Sequence, residues 1–378
     1  MRFDFATAGK ILFGAGRAKD AAPEASGLGQ RPLLVTGANP ARAAVIREAL
    51  RPVAEFAVPG EPTVALAQSI AAVARGAACD VVVSVGGGSA IDAGKAAAAL
   101  LANPGDPLEY LEVIGAGRPL SRAPLPHVAV PTTAGTGAES TRNAVLGSPA
   151  HGVKVSMRHP LMLPAVAVVD PSMTAGAPAH VVAAAGLDAL TQLLEAFVTP
   201  FANPMTDALC REGLQRAGRS IRKILEAPDD EARADMSLTA LFSGIALSNA
   251  RLGAVHGFAG PIGGMTGAAH GALCAALLPA VVEANIRALE SREPLSASLA
   301  RIDEAARLLM NDGNATRPRL PLWLRQLVDD LAIPGLEVLG LDRARHAEAA
   351  TKARAASSMK GNPVVLSHDE LLAILAAS

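Results

Sequence analysis

Residues 80–96, DVVVSVGGGSAIDAGKA, decide the fold. A short apolar run ends at three consecutive glycines, Gly86, Gly87 and Gly88, and an alanine-rich helical pattern follows from Ser89. An apolar run of this length reads as a strand buried on both faces, as in a parallel sheet. The glycines carry no Cβ that would hold a pyrophosphate away from the backbone. The start of the next helix offers free N–H groups to an anion. Ser89 is expected to cap that helix or to touch a phosphate. Taken alone, the triplet is equally a tight turn with no ligand.

The same alternation continues on either side. PLLVTG (32–37), EFAVPG (55–60), HVAVPTT (127–133) and AVAVVDP (165–171) read as strands. ARAAVIREALRPV (41–53), TVALAQSIAAVARGA (63–77) and SAIDAGKAAAALLA (89–102) read as helices. Strands alternating with such helices predict a parallel α/β sheet covered on both faces. A second turn, PTTAGTGAEST (131–141), also follows an apolar run. Its Thr132, Thr133 and Thr136 suit close contact with a nucleotide, and two such turns on one sheet point to a dinucleotide site. From about residue 175 the strand pattern gives way to long Ala/Leu helices. The expected division is therefore an α/β domain over 1–174 and an all-helical domain over 175–378.

A length of 378 residues exceeds one ordinary domain and agrees with two. Half the residues are apolar but only 3% are aromatic, so small aliphatic side chains must fill the core. A net charge of −1, with both signs spread along the chain, gives no footprint for nucleic acid or an anionic membrane. Cys79, Cys210 and Cys274 are odd in number and far apart, which suits reduced thiols in the cytoplasm. In MRFDFATAGKILFGAG, Asp4 and Lys10 interrupt any apolar stretch of signal-peptide length. No run reads as the ~20 apolar residues of a membrane-spanning helix.

The helical half carries the metal-like residues. In GLDALTQLLEAFV (186–198), Asp188 and Gln192 lie four apart on one helix face. A His at 192 would complete a metal pair, and the chain has Gln there. His256 and His270 lie in AVHGFAGPIGGMTGAAHGALCAALLP (254–279). On one continuous helix their fourteen-residue spacing would be roughly 21 Å, too far to share an ion. Pro261 and several glycines allow the segment to break and fold back, so that the two imidazoles converge. With Asp188 they form a two-His, one-carboxylate set suited to Fe(II) or Zn(II) with open positions. For the pair alone, two unrelated helix-end histidines are an equally fair reading, which weakens once Asp188 supplies a carboxylate from another helix of the same domain. Cys274, one turn after His270, reads as a small core cysteine.

In this order and spacing, the FG.G opening (Phe13 to Gly16), GGGSAIDAGKA, PTTAGTGAEST, VDP, GLDAL, VHG and HG…LLP make a chain that resembles the iron-containing (group III) alcohol dehydrogenases over nearly its whole length. The resemblance implies an N-terminal Rossmann-like domain, a C-terminal all-helical domain and a site in the cleft between them. It implies NAD or NADP as cofactor and a small alcohol, aldehyde or ketone as substrate, with no nucleic-acid or membrane partner. A homo-oligomer, in the simplest case a dimer, is the implied assembly.

The family's metal ligands fall on Asp188, Gln192, His256 and His270, so three of the four usual residue types are kept. His256 and Gln192 are the implied catalytic groups, while Gly260 replaces a His that lies near the substrate in the family. Gly37, Gly86, Gly87, Gly88, Ser89, Asp92, Thr132, Thr133, Thr136 and Lys154 are the implied cofactor residues. Family members that prefer NAD often carry an Asp after the first strand; Gly37 stands there, so nothing repels the 2′-phosphate of NADP.

Gln192 leaves two chemistries open. Its amide oxygen can ligate weakly, or it can hold a water or the substrate. Alternatively the enzyme is a metal-independent reductase of the maleylacetate reductase type, in which His256, His270 and Gln192 polarise a carbonyl by hydrogen bonds. A dehydroquinate synthase-like lyase needs basic residues that the helical metal region lacks. A nucleotide-binding protein that has lost catalysis is a further class, and retention of the other site residues argues against it.

Overall fold

The computed structural model describes residues 2–378. They divide into two compact units: Ala6–Thr133 with Gly137–Gly176, and Ala177–Ser378 with Ala134–Thr136 and a short N-terminal stretch.

The first unit holds strands β1 (Lys10–Phe13), β2 (Pro32–Thr36), β3 (Ala54–Ala57), β4 (Val81–Gly86), β5 (His127–Pro131), β6 (Asn143–Ser148), β7 (Val153–Arg158) and β8 (Val166–Val169). Six of them make a parallel sheet in the order β1-β8-β5-β4-β2-β3, and β6 and β7 form a separate antiparallel pair. Its helices are α1 (Ala21–Ser26), α2 (Ala44–Leu50), α3 (Val64–Gly76) and α4 (Gly88–Ala102). Every residue of β2 and β4 is buried, as a strand covered on both faces requires. Val82 packs in the core with α3 and α4, while Val81, Val83 and Val85 pack in the opposite core with α1 and α2. The chain leaves β2 for β3 on one side and returns to β4 on the other, so the carboxyl ends of β2 and β4 flank the point where the winding reverses.

The sequence reading overlooks β1, β6 and β7. β1 is only four residues long, and its KILF run sits among polar and glycine residues. β6 and β7 alternate buried with exposed or half-buried positions, but Asn143, Gly147, Lys154 and Arg158 mask that alternation. The caps also differ from expectation. Gly87 is the N-cap of α4, which places Ser89 inside the first turn.

The second unit is helical: α5 (Ala179–Val198), α6 (Pro204–Ser220), α7 (Lys223–Glu226), α8 (Asp230–Asn249), α9 (Ala254–Thr266), α10 (His270–Arg292), α11 (Ala297–Met310), α12 (Leu320–Asp330), α13 (His346–Ala355) and α14 (His368–Ala376). α5 is buried at every position from Gly186 to Val198, with α6, α8 and α10 packed around it. It stops at Thr199, which is extended because Pro200 follows. α6 begins at Asn203, whose side chain and Thr206 form a reciprocal capping box ahead of Pro204.

Contrary to the sequence reading, two helices among the described residues are long and apolar enough to cross a bilayer, Ala179–Val198 and His270–Arg292. Their most apolar windows are 78% and 83% buried inside the fold, so that apolarity serves the helical core.

Candidate metal centre and dinucleotide turn

At the carboxyl ends of β2, β4 and β5 the predicted cofactor residues come together as backbone. Gly37 N donates to Val85 O (3.1 Å) and Thr132 N to Gly86 O (2.9 Å), which holds the three strand ends side by side. A Cβ on Gly86 would lie 2.6 Å from the Ala90 Cβ and 3.0 Å from Gly37 N, so only glycine fits. Thr133 stands over the turn, its Oγ1 3.2 Å from where a Gly87 Cβ would be. No side chain caps α4, so its first N–H groups remain available to an anion.

Three other predicted cofactor residues are placed differently. Thr136 belongs to the helical unit. Asp92 accepts from Val145 N (3.0 Å) and lies 3.3 Å from Lys95 Nζ. Lys154 pairs with Glu61 at 2.6 Å.

The helical unit builds its site from side chains. α9 ends at Gly267, whose φ of 75° lies in the left-handed region that glycine favours, and α10 opens at His270. The break therefore falls after Thr266, and Pro261 sits inside α9. This corner brings the rings of His256 and His270 to 5.4 Å between centroids. Asp188, on α5, meets them: its Oδ1 lies 3.4 Å from His256 Nε2 and 3.9 Å from His270 Nε2. The Cys274 Sγ lies 3.8 Å from His256 Nε2 and 3.6 Å from His270 Nε2. One donor atom from each of these four residues falls within 4.8 Å of the other three.

Two supporting groups were invisible to the sequence reading. The first is Glu195, one further turn along the Asp188–Gln192 face of α5. Its Oε2 is 2.7 Å from His256 Nδ1, and its Oε1 accepts from Val255 N at 2.7 Å. One carboxylate thus caps the start of α9 and fixes the imidazole so that Nε2 faces Asp188. The only signal for it was a Glu in an otherwise apolar stretch. The second is Ser243 on α8, 2.8 Å from Gln192 Oε1. The Gln192 amide N–H donates to Asp188 Oδ2 at 3.3 Å. A carboxylate only accepts, so the amide nitrogen must face Asp188 and the amide oxygen faces Ser243. Gly260 has open space around it: a Cβ there would meet nothing within 4 Å.

The electrostatics are those of a cation site. Burial pulls both imidazoles down, but the Cys274 sulfur and the Asp188 carboxylate outweigh it and hold His270 above its ordinary value. His256, which also faces Glu195, is held well above it. Burial raises Asp188, yet its histidine contacts leave it below the usual carboxylate range. Asp188 Oδ1 is nonetheless buried without a hydrogen-bond partner, since the 3.4 Å approach of His256 lacks hydrogen-bond geometry. A buried acceptor left in that state is costly, and a divalent ion held by these donors would satisfy it. The residues fit the metal.

Residues 8–171 match the family model for iron-containing alcohol dehydrogenase, and residues 182–378 match the C-terminal model of the Fe-containing alcohol dehydrogenase family. The chain is 40% identical over 223 residues to long-chain-alcohol dehydrogenase 1 of Geobacillus thermodenitrificans, covering 59% of this chain and 56% of that protein. It is 36% identical over 268 residues to 4-hydroxybutyrate dehydrogenase of Cupriavidus necator, covering 68% and 70%. The match to the first of these relatives thus spans little more than half of its length. Among solved structures, 1,3-propanediol oxidoreductase superposes with a TM-score of 0.91 at 30% identity, over 100% of this chain and 99% of that one.

Proposed function

Because the chain belongs to the iron-containing alcohol dehydrogenase family, we propose that it interconverts a small alcohol and its aldehyde or ketone, with a nicotinamide dinucleotide as hydride carrier. The observation that carries this reading is the Asp188–His256–His270 cluster, with Asp188 and His256 buried, His270 half-buried and one Asp188 oxygen unpartnered. When bound, a divalent ion such as iron or zinc supplies Lewis-acid polarisation of the substrate oxygen, and the nicotinamide supplies or accepts the hydride. Asp188, His256 and His270 would hold the ion. Glu195 fixes the ring of His256, and Gln192, anchored on Ser243, fixes Asp188. This built set of donors supports the metal-dependent chemistry over a metal-independent reductase of the maleylacetate reductase type.

On the sheet, Gly86–Gly88, Ser89 and the uncapped start of α4 would bind the pyrophosphate, with Thr132 and Thr133 beside it. Asp92 and Lys154 are engaged with their own partners, Val145 N and Glu61, and Thr136 lies in the helical unit, so these three are not used in this reading. Gly37 presents no carboxylate to a ribose, so the site accepts NADP as well as NAD. The three cysteines are all free, which supports a cytoplasmic setting. A homodimer is the assembly that family resemblance supports.

The test is turnover of NADH and NADPH by metal-reconstituted protein against a panel of small aldehydes and ketones. Oxidation of either cofactor that chelation abolishes is expected. No oxidation with any carbonyl would overturn the proposal.

A further inference from the structure

We propose that Cys274 supplies, as a thiolate, the donor that Gln192 does not, making a four-residue Asp188–His256–His270–Cys274 centre that prefers zinc or another borderline-soft divalent cation. The inference rests on the metal-dependent reading above and assigns that site its fourth ligand. Its first support is geometric. With zinc–nitrogen and zinc–oxygen bonds near 2.0–2.1 Å and zinc–sulfur near 2.3 Å, the edges of a tetrahedral donor set are about 3.3–3.6 Å. Four of the six donor separations, 3.4 and 3.9 Å from Asp188 Oδ1 to the two imidazoles and 3.8 and 3.6 Å from Cys274 Sγ to the same nitrogens, lie at or slightly beyond those edges, and all six are within 4.8 Å. The buried Asp188 oxygen without a hydrogen-bond partner belongs to the same donor cluster, where a cation would satisfy it.

Gln192 is committed elsewhere. Its amide hydrogens face the far oxygen of Asp188, and its amide oxygen engages Ser243. It is therefore a positioning residue for the carboxylate. On binding, the metal–sulfur bond forms, the S–H bond breaks and its proton leaves to solvent; no oxidation state changes. Soft thiolate donors favour zinc over harder ions, so a Cys274 ligand in place of an imidazole shifts the preference of this centre toward zinc.

The experiment strips the full-length protein of metal and titrates it with Co(II), then Zn(II), following near-ultraviolet and visible absorption and metal content. Wild type is expected to bind Co(II) stoichiometrically with a thiolate-to-cobalt charge-transfer band. That band should persist in Gln192→Ala and vanish in Cys274→Ser. Loss of an indirect metal partner costs about 10–100-fold in affinity, so Cys274→Ser should weaken Zn(II) binding by at least about tenfold. Co(II) bound by wild type without the band, or Zn(II) affinity in Cys274→Ser within about twofold of wild type, would overturn the inference and leave the metal-dependent reading intact. Failure of wild type to bind either ion would overturn both. If Cys274→Ser does not fold, the wild-type spectrum alone decides.

Discussion

At the ends of β2 and β4 the site is made by removing atoms. Gly37, Gly86 and Gly87 leave backbone bare, and a single added Cβ on Gly86 would strike both Ala90 and Gly37. At α5, α9 and α10 the site is made by adding them: Asp188, His256, His270 and Cys274 converge from three helices, Asp188 held by Gln192 and His256 by Glu195. Their histidines differ in the same way. His127 on β5 is buried beside the Ser84 hydroxyl (2.9 Å) with the Lys95 cation nearby, and burial with that charge drives it down to about 3. His256, equally buried, faces anionic groups and moves up. A backbone site tolerates exchange of its side chains and fails when one is introduced, whereas a side-chain site fails when any single donor is lost.

The largest effect that would break this contrast is at His256. His256→Ala removes one of the proposed metal donors and the residue that Glu195 anchors. The expected loss is about a thousandfold in kcat/KM, or about 4 kcal/mol of transition-state stabilisation, together with bound metal. Steady-state kinetics with metal analysis checks it. Metal content and rate close to wild type would mean that the cluster is not the reaction centre. Next comes Glu195→Gln, which keeps an acceptor for Val255 N but offers an N–H to His256 Nδ1, turning the ring to the wrong tautomer. Metal affinity should fall by about 10–100-fold while the melting temperature changes little. An equal fall in both would make Glu195 a helix cap and nothing more.

How far each site could be read from the chain follows the same division. The glycine turn was legible because everything that makes it is local: an apolar run, three glycines and a helix in sixteen residues. Asp188, His256 and His270 were also nameable, because each sits in its own short motif. Glu195 and Ser243 were not, because their roles depend on where α9 and α8 lie against α5, which no periodicity states. Cys274 could be placed one turn beyond His270, but a helix turn does not say which neighbour it faces. The parallel core strands β2, β4 and β5 were legible as unbroken apolar runs. The pair β6–β7 was not, since polar residues and a glycine break its alternation, and Lys154 and the Val145 N–H find their partners, Glu61 and Asp92, outside the pair. A site assembled by tertiary placement is visible in sequence only as its most chemically distinctive members.

A smaller effect sharpens the backbone half. Gly86→Ala forces its Cβ against Ala90 Cβ at 2.6 Å and Gly37 N at 3.0 Å. Overpacking of this kind costs about 1–3 kcal/mol, and the displaced turn should bind NADH more weakly in a fluorescence titration. Adding Ala90→Gly removes one of the two clashes and should recover part of the stability, a coupling that independent sites do not show. Full recovery of both stability and cofactor binding would show that the approach to Gly37 is unimportant.

The smallest effect concerns His127 and isolates the electrostatic half of the contrast. In the folded chain its pKa falls from 6.5 to about 3, so the folded state keeps it neutral while the unfolded chain takes up a proton below 6.5. Its contribution is fully present above 6.5 and is lost as pH falls toward 3; by pH 5.5 the loss relative to pH 8 is about 1.4 kcal/mol. Glu139 in the same unit acts with the opposite sign. Burial lifts it to about 7, so its ionisation destabilises the fold as pH rises from 4.5 through 7. The overall pH profile therefore mixes the two, and the informative quantity is the difference between wild type and His127→Gln, which retains a partner for Ser84 but does not titrate. Urea unfolding at pH 8 and pH 5.5 should show wild type losing more stability than the variant over that interval. A parallel response of the two proteins would mean that His127 titrates normally in the fold, and that burial without an opposing charge does not separate it from the histidines of the helical unit.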